Sequence, residues 1–155
     1  MHLDFDEASI ITGVELIDKQ HLKYRSIVNL FLEHLDDLDK SRSLFVDLNG
    51  YVIYHFGTEE ELMDKYHYDM AEEHKKQHQY FKETIKELTF SYLKGGDFDE
   101  KTKAAIGQLL VDWFVSHVQN VDKRFCEFIL HKSRIDQKFV EKLKSMLHLF
   151  SARHG

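Results

Sequence analysis

Two pairs of side chains with metal-binding chemistry, His55 with Glu59 and His74 with His78, are each four residues apart. On an α-helix residues i and i+4 lie one above the other on the same face, so each pair can hold one object from one side. His21, His117 and Asp122 bring the candidate donors to five imidazoles and two carboxylates. Nitrogen and oxygen donors in this mixture suit iron, zinc or manganese.

The elements that must position these donors are legible as apolar stripes. Ile17, His21, Tyr24, Val28, Phe31, Leu35 and Leu38 recur at steps of three and four, the pattern of an amphipathic helix. It is read as capped by Asp18 and ending near Lys40, after an extended N-terminal arm with a turn at Gly13. A second stripe, Leu44, Leu48, Tyr51, His55, Glu59, Leu62 and Tyr66, follows a cap at Ser41 or Ser43. Met70, His74, His78, Phe81, Ile85, Leu88 and Tyr92 form the third. Asp69 and Glu72 are expected to open it as a capping box, and Gly95-Gly96-Asp97 to end it. A fourth helix from about Asp99 carries Ile106, Leu110, Trp113 and His117, then Asp122, Phe125 and Ile129. Short turns between such helices make neighbours antiparallel.

The step from His117 to Asp122 is five residues, which in a regular α-helix turns through about 140° and aims the two groups apart. A π-bulge, one inserted residue in the hydrogen-bond ladder, would realign them, and is the expectation here; a different phase through Val121 and Phe128 is the alternative. Beyond His131 a further amphipathic segment, about Arg134 to Ser151, places Ile135, Phe139, Leu143, Met146 and Phe150 on one face. It is read as packing on the bundle or as a seam for a second copy or a signalling partner. The fold expected is all-α, an up-down-up-down four-helix bundle with an N-terminal arm and an extra C-terminal helix. Residues 1–132 form the bundle, and 133–155 an amphipathic helix of the same domain.

At 155 residues the chain can bury a core without disulfides. Proline is absent, which removes the strongest breaker of long helices. With 21 basic and 27 acidic residues the formal charge is −6, which argues against nucleic acid or an anionic membrane as the main partner. Cys126 is the sole cysteine, the first residues lack a signal-peptide pattern, and no apolar run approaches membrane-spanning length. The chain is read as soluble and cytoplasmic.

Any one of these histidines could simply be a hydrogen-bonded core residue. Seven donors on faces that their own stripes mark as buried are different, because uncompensated burial costs several kcal/mol per unpaired charge. A shared metal site removes that cost. Seven donors exceed one tetrahedral zinc and fit two metals roughly 3.5–4 Å apart, with the carboxylates as bridges. The Glu-x-x-His repeats of ferritin-like sites and the H-E-x-x-H string of zinc proteases are both missing. A donor set rich in histidine and poor in carboxylate stabilises the ferric state less, which leans toward binding oxygen and away from hard oxidations.

The strings IDKQH ending at His21, HFGTEE from His55, HKKQH from His74 to His78, and WFVSHVQNVDKRF with His117 and Asp122 resemble the hemerythrin family, specifically its bacterial branch, up to about residue 130. The resemblance implies a non-haem centre of two irons. His74, His78 and His117 would saturate one iron, and His21 and His55 would leave the other an open position. Glu59, Asp122 and an oxo or hydroxo group would bridge them. The implied function is reversible O2 binding for storage, delivery or scavenging. The alternatives are an oxygen or redox sensor acting through residues 134–151 and, third, a peroxidase-like or nitric-oxide-consuming enzyme. Tyr24, Phe56, Trp113, Phe114 and Val118 are the expected apolar wall that keeps the O2 pocket dry. Phe114 and Tyr24 stand where the family usually has leucine, so a larger ring could narrow the pocket and the Tyr24 phenol could donate to bound oxygen. Phe5 stands roughly where many relatives have tryptophan. Gly57, in mid-helix, would be explained by close approach of another helix.

Overall fold

The computed structural model describes residues 5–95 and 99–154; the side chains of 89, 91–95, 135, 136, 138–140, 143, 144 and 146–154 lie outside that description. Helix α1 (Glu15–Glu33) buries Ile17, His21, Tyr24, Val28 and Phe31 along its expected stripe. It ends earlier than Lys40, at a link in which His34 and Asp37 donate backbone N–H groups to Phe31 and His34. Helix α2 (Leu38–Lys65) is capped by Asp37, whose carboxylate accepts from the Lys40 N–H, and not by Ser41 or Ser43. An aspartate just ahead of the first turn also complements the positive end of the helix dipole. Helix α3 is Ala71–Gly95. The turn before it is set by His67 in the left-handed region (φ 53°) and by the Tyr68 N–H donating to Met63 O. Of the Gly95-Gly96-Asp97 stop, only Gly95 falls within the described residues.

The fourth helix is a series of segments run end to end: α4 (Glu100–Gly107), a π segment (Gln108–Trp113), α5 (Phe114–His117), a second π segment (Val118–Asp122) and α6 (Lys123–His154). Asp99 caps it, accepting from the Thr102 N–H at 2.6 Å. The second π segment is the realignment that the five-residue step from His117 to Asp122 requires. The first was not foreseen from spacing. α6 continues the bundle's last helix without a break to His154, so the C-terminal segment is a direct extension of it. The face expected from Ile135, Phe139, Leu143, Met146 and Phe150 lies outside the described residues.

Short links between long helices give the up-down-up-down four-helix bundle, and among the described residues there is no strand. In the arm, Gly13 turns the chain at φ 97°. Asp18, expected as a cap, instead folds back on the arm: it accepts from the Thr12 N–H, the Thr12 hydroxyl and the Gly13 N–H. A Cβ built at Gly13 would lie 3.4 Å from Leu130 Cδ1, which sets Leu130 level with the start of α1. Gly57 is not explained by a neighbouring helix, since a Cβ there would meet nothing within 4 Å.

Two apolar clusters fill the bundle. One includes Tyr24, Val28, Phe31, Phe56, Phe81, Phe114 and Val118; the other is Ile17, Met63, Tyr68, Phe125, Cys126 and Ile129. The polar donors lie between them along the chain: His21 between Ile17 and Tyr24, Glu59 between Phe56 and Met63, Asp122 between Val118 and Phe125. This is a buried polar layer with an apolar seal on both sides.

Candidate metal centre

His21, His55, Glu59, His74, His78, His117 and Asp122 are all buried, at 0 to 3% exposure. They converge as two overlapping groups. His74, His78, His117 and Asp122 offer donor atoms within 4.8 Å of one another, and so do His21, His55, Glu59 and Asp122. Each carboxylate divides its oxygens between the groups. Asp122 Oδ1 lies 2.9 Å from His74 Nε2 and 3.0 Å from His117 Nε2, while Oδ2 lies 3.2 Å from His21 Nε2. Glu59 Oε1 is 2.6 Å from His55 Nε2 and Oε2 is 3.3 Å from His74 Nε2.

Those distances are short, yet most of the contacts lack hydrogen-bond alignment. Among the described residues, Nε2 of His21, His55, His78 and His117, both Glu59 oxygens and Asp122 Oδ2 are buried without a hydrogen-bond partner. Orphaned buried polar atoms are rare and call for an explanation. Lone pairs aimed at a common centre, not at one another, are what a bound cation would satisfy.

The second ring nitrogens tell the same story. His21 Nδ1 is 2.9 Å from Ile10 O, His55 Nδ1 2.8 Å from Gln20 Oε1, His117 Nδ1 2.7 Å from Gln77 Oε1, and His78 Nδ1 3.4 Å from Glu60 Oε2. Carbonyl and carboxylate oxygens only accept, so each Nδ1 carries the proton and leaves the Nε2 lone pair for a metal. The Gln20 amide is itself oriented: its Nε2 donates to Thr58 Oγ1, whose hydroxyl donates to Tyr54 O. Gln20, Gln77, Glu60 and the Ile10 carbonyl were missed from sequence. The one available signal was that the dipeptide Gln-His occurs at both Gln20-His21 and Gln77-His78.

Without metal the layer is a set of imidazole–carboxylate contacts. Burial and the nearby Asp122 charge push the Glu59 carboxyl up, but His55 and His74 outweigh them and hold it at about 2. Asp122 is likewise held well below its ordinary range by His117, His21 and His74 against the cost of burial. Burial lowers His74, and the two carboxylates more than offset it, to about 9; His21 is raised by the same balance. His78, whose desolvation is not offset by Glu60, is lowered.

A family model for the hemerythrin HHE cation binding domain matches residues 12–129. The chain belongs to the hemerythrin family. Among hemerythrin relatives, the bacteriohemerythrin of Pseudomonas aeruginosa (strain LESB58) is 28% identical over 126 residues, covering 77% of each chain. That of Clostridium acetobutylicum is 27% identical over 122 residues, 74% of this chain and 92% of the relative. A solved hemerythrin carrying a leucine-to-alanine substitution aligns with a TM-score of 0.70 at 24% identity over 82% of this chain and 97% of that one. A solved leucine-to-phenylalanine mutant gives 0.69 at 25% over 81% and 95%. The chain therefore carries an oxygen-binding hemerythrin domain with a site for metal cations. No helix among the described residues is long and apolar enough to cross a membrane.

The expected wall residues fall in different places around this hemerythrin centre. Phe114 meets the His21 ring edge-on at 5.4 Å and stacks on Tyr24 at 3.9 Å, and Phe5 of the arm packs edge-on against both Tyr24 and Phe114. The Tyr24 phenol does not point its proton at the donors: it donates to Leu110 O at 2.7 Å, inside the first π segment. Phe56 stacks on His78 at 3.9 Å and Trp113 on His117 at 4.7 Å. Val118 is fully buried in the cluster that includes Phe114.

Proposed function

We propose that the chain binds O2 reversibly at a centre of two irons, with Glu59 and Asp122 as bridges together with a solvent-derived oxygen. The observation that carries this reading is that both carboxylates straddle the two histidine groups with one oxygen toward each. His74, His78 and His117 serve one iron. His21 and His55 serve the other, which has one protein donor fewer and therefore a position for O2. Such a pair supplies two electrons and that position. The chain's own residues hold the imidazoles in one tautomer, exclude water with Phe114, Tyr24, Val118 and Phe5, and keep the Tyr24 hydroxyl engaged elsewhere.

The test is an absorption spectrum of the anaerobically reduced protein before and after air, with metal analysis. Two irons per chain and a charge-transfer band that appears with air and vanishes under vacuum are expected. A chain that takes up no iron would overturn the reading, and irreversible oxidation without a band would remove the carrier role.

One feature favours a second reading, oxygen or redox sensing. Helix α6 begins at the residue after Asp122 and continues to His154, a continuous rod from a donor to residues 134–151, where a second copy or a signalling partner would attach. Truncation after Lys132 separates the two: a carrier keeps its oligomeric state and oxygen affinity, whereas a sensor loses a state-dependent association.

A further inference from the structure

The second π segment aligns His117 with Asp122, but the first, Gln108–Trp113, has no donor pair to align. π segments are common at functional sites, and this one meets Tyr24. Tyr24 is tied to the bundle at both ends: its Cα lies on α1, three residues beyond His21, and its hydroxyl donates to Leu110 O at 2.7 Å on the fourth helix. In a regular α-helix the Phe114 N–H would reach Leu110 O; here it is directed to Val111 O. Leu110 is buried and a buried carbonyl needs a donor, which the phenol supplies. Between its two ends the Tyr24 ring stacks on Phe114, with centroids 3.9 Å apart and 28° between planes. Phe114 in turn meets the His21 imidazole edge-on at 5.4 Å and 88°. Phe5 packs edge-on against both Tyr24 and Phe114, at 6.2 and 6.3 Å. Of these three rings only Tyr24 has a polar atom to anchor it, so its hydroxyl is the fixing point of the group.

We propose that Tyr24 is a positioning residue for the pocket at His21: a strut from α1 to the first π segment whose hydroxyl, through the stack on Phe114, holds the Phe114 ring against the His21 imidazole. The π segment then has a task. It presents Leu110 O to the strut while Phe114, four residues on, faces His21. Tyr24→Phe keeps the stack but cuts one end of the strut, so the Phe114 ring gains freedom to tilt away from His21 and water gains a path toward it. That this ring protects bound O2 rests on the two-iron reading; that Tyr24 holds the ring does not.

The test compares the wild type with Y24F, F114L and the double variant, each as the full chain. In metal-free and zinc-loaded protein, Y24F should speed amide hydrogen exchange across Val111–Val115 by about 10-fold, the scale of one lost hydrogen bond. It should also weaken the NMR cross-peaks between the Phe114 and His21 ring protons. In reduced, iron-loaded protein exposed to air, Y24F should shorten the lifetime of the oxygen-induced band by about 10-fold, and should shorten it no further on the F114L background, because the hydroxyl acts through that ring. A tyrosine that only stabilises the fold would shorten the lifetime equally on both backgrounds, and that result overturns the proposal. So does Y24F with exchange and cross-peaks identical to those of the wild type. If Y24F does not fold, the wild type decides: the Tyr24 hydroxyl proton must appear in slow exchange with water and show cross-peaks to Leu110–Phe114, and its absence overturns the proposal. A chain that takes up no iron or gives no band fails the two-iron reading alone, and the exchange and cross-peak measurements still decide the role of Tyr24.

Discussion

Gln20-His21 on α1 stands to His55 on α2 as Gln77-His78 on α3 stands to His117 on the fourth helix. In each half a glutamine amide orients the partner helix's imidazole, at 2.8 and 2.7 Å, and a carboxylate follows that imidazole by four or five residues. The halves part at the position four residues before the Gln-His histidine. On α3 that position is His74; on α1 it is Ile17, fully buried in the cluster of Met63, Tyr68 and Phe125. Replacing an imidazole by an alkyl side chain deletes one donor, which in the proposed two-iron reading would leave the α1–α2 half with the open position. The surroundings follow suit. The donor-poor half is closed by Phe5, Tyr24 and Phe114, while on the donor-rich half Phe56 stacks on His78 and Trp113 on His117.

The comparison is broken most completely at the residue the halves share. Asp122→Ala removes a donor from both groups and should bring metal content from two per chain toward none, since a buried layer stripped of one carboxylate also leaves imidazolium charge uncompensated; metal analysis after anaerobic reconstitution checks it. Retention of two metals would mean that Glu59 alone bridges. Ile17→His is the sharper variant, because it makes the halves alike. It should keep both metals and lose the oxygen-induced absorption band; a surviving band would show that the open position does not arise from Ile17. Smaller effects are expected at the orienting amides. Gln20→Ala and Gln77→Ala should each weaken metal binding about 10–100-fold, the usual cost of losing such a partner. Competition with a chelator should find the loss on the α1–α2 side for Gln20 and on the α3 side for Gln77.

Much of this arrangement was legible in the chain itself. The donor positions could be read because steps of four on an apolar stripe leave a helix no other face to bury, and the π segment at Val118–Asp122 because a step of five makes no geometric sense without it. The first π segment had no such signature, since Gln108–Trp113 carries no donor pair whose alignment demands it. Caps were misread for a different reason: Asp37, Ser41 and Ser43 compete within two turns, and Asp18 could serve helix or arm equally well on local grounds. The roles of Gln20, Gln77 and Ile10 O depend on which helices are neighbours, and the direction of the Tyr24 hydroxyl on a carbonyl 86 residues away. None of these is written in periodicity.

The smallest and most graded difference between the halves is their response to pH, and His74 again carries it. In the metal-free protein His74 keeps its second proton up to about 9. A folded pKa above the ordinary 6.5 contributes stability below pH 6.5 that is lost as pH rises through 9. Glu59, held at about 2, contributes stability above about 4.5 that is lost as pH falls through 2. Thermal melts of the metal-free chain should therefore be highest between about pH 4.5 and 6.5 and decline on the alkaline side. Metal binding has the opposite slope, because a donor must shed its proton before it can ligate. Affinity should climb from about pH 7 to 9 by about tenfold per unit for each displaced proton, with that proton appearing in a weakly buffered indicator assay. His74→Ile gives the α3 side the residue that α1 already has. It should flatten the alkaline decline of the metal-free protein and reduce proton release on binding, leaving the contribution of His21. If both slopes persist unchanged in that variant, the protons reside elsewhere in the layer, and His74 is not what separates the two halves electrostatically.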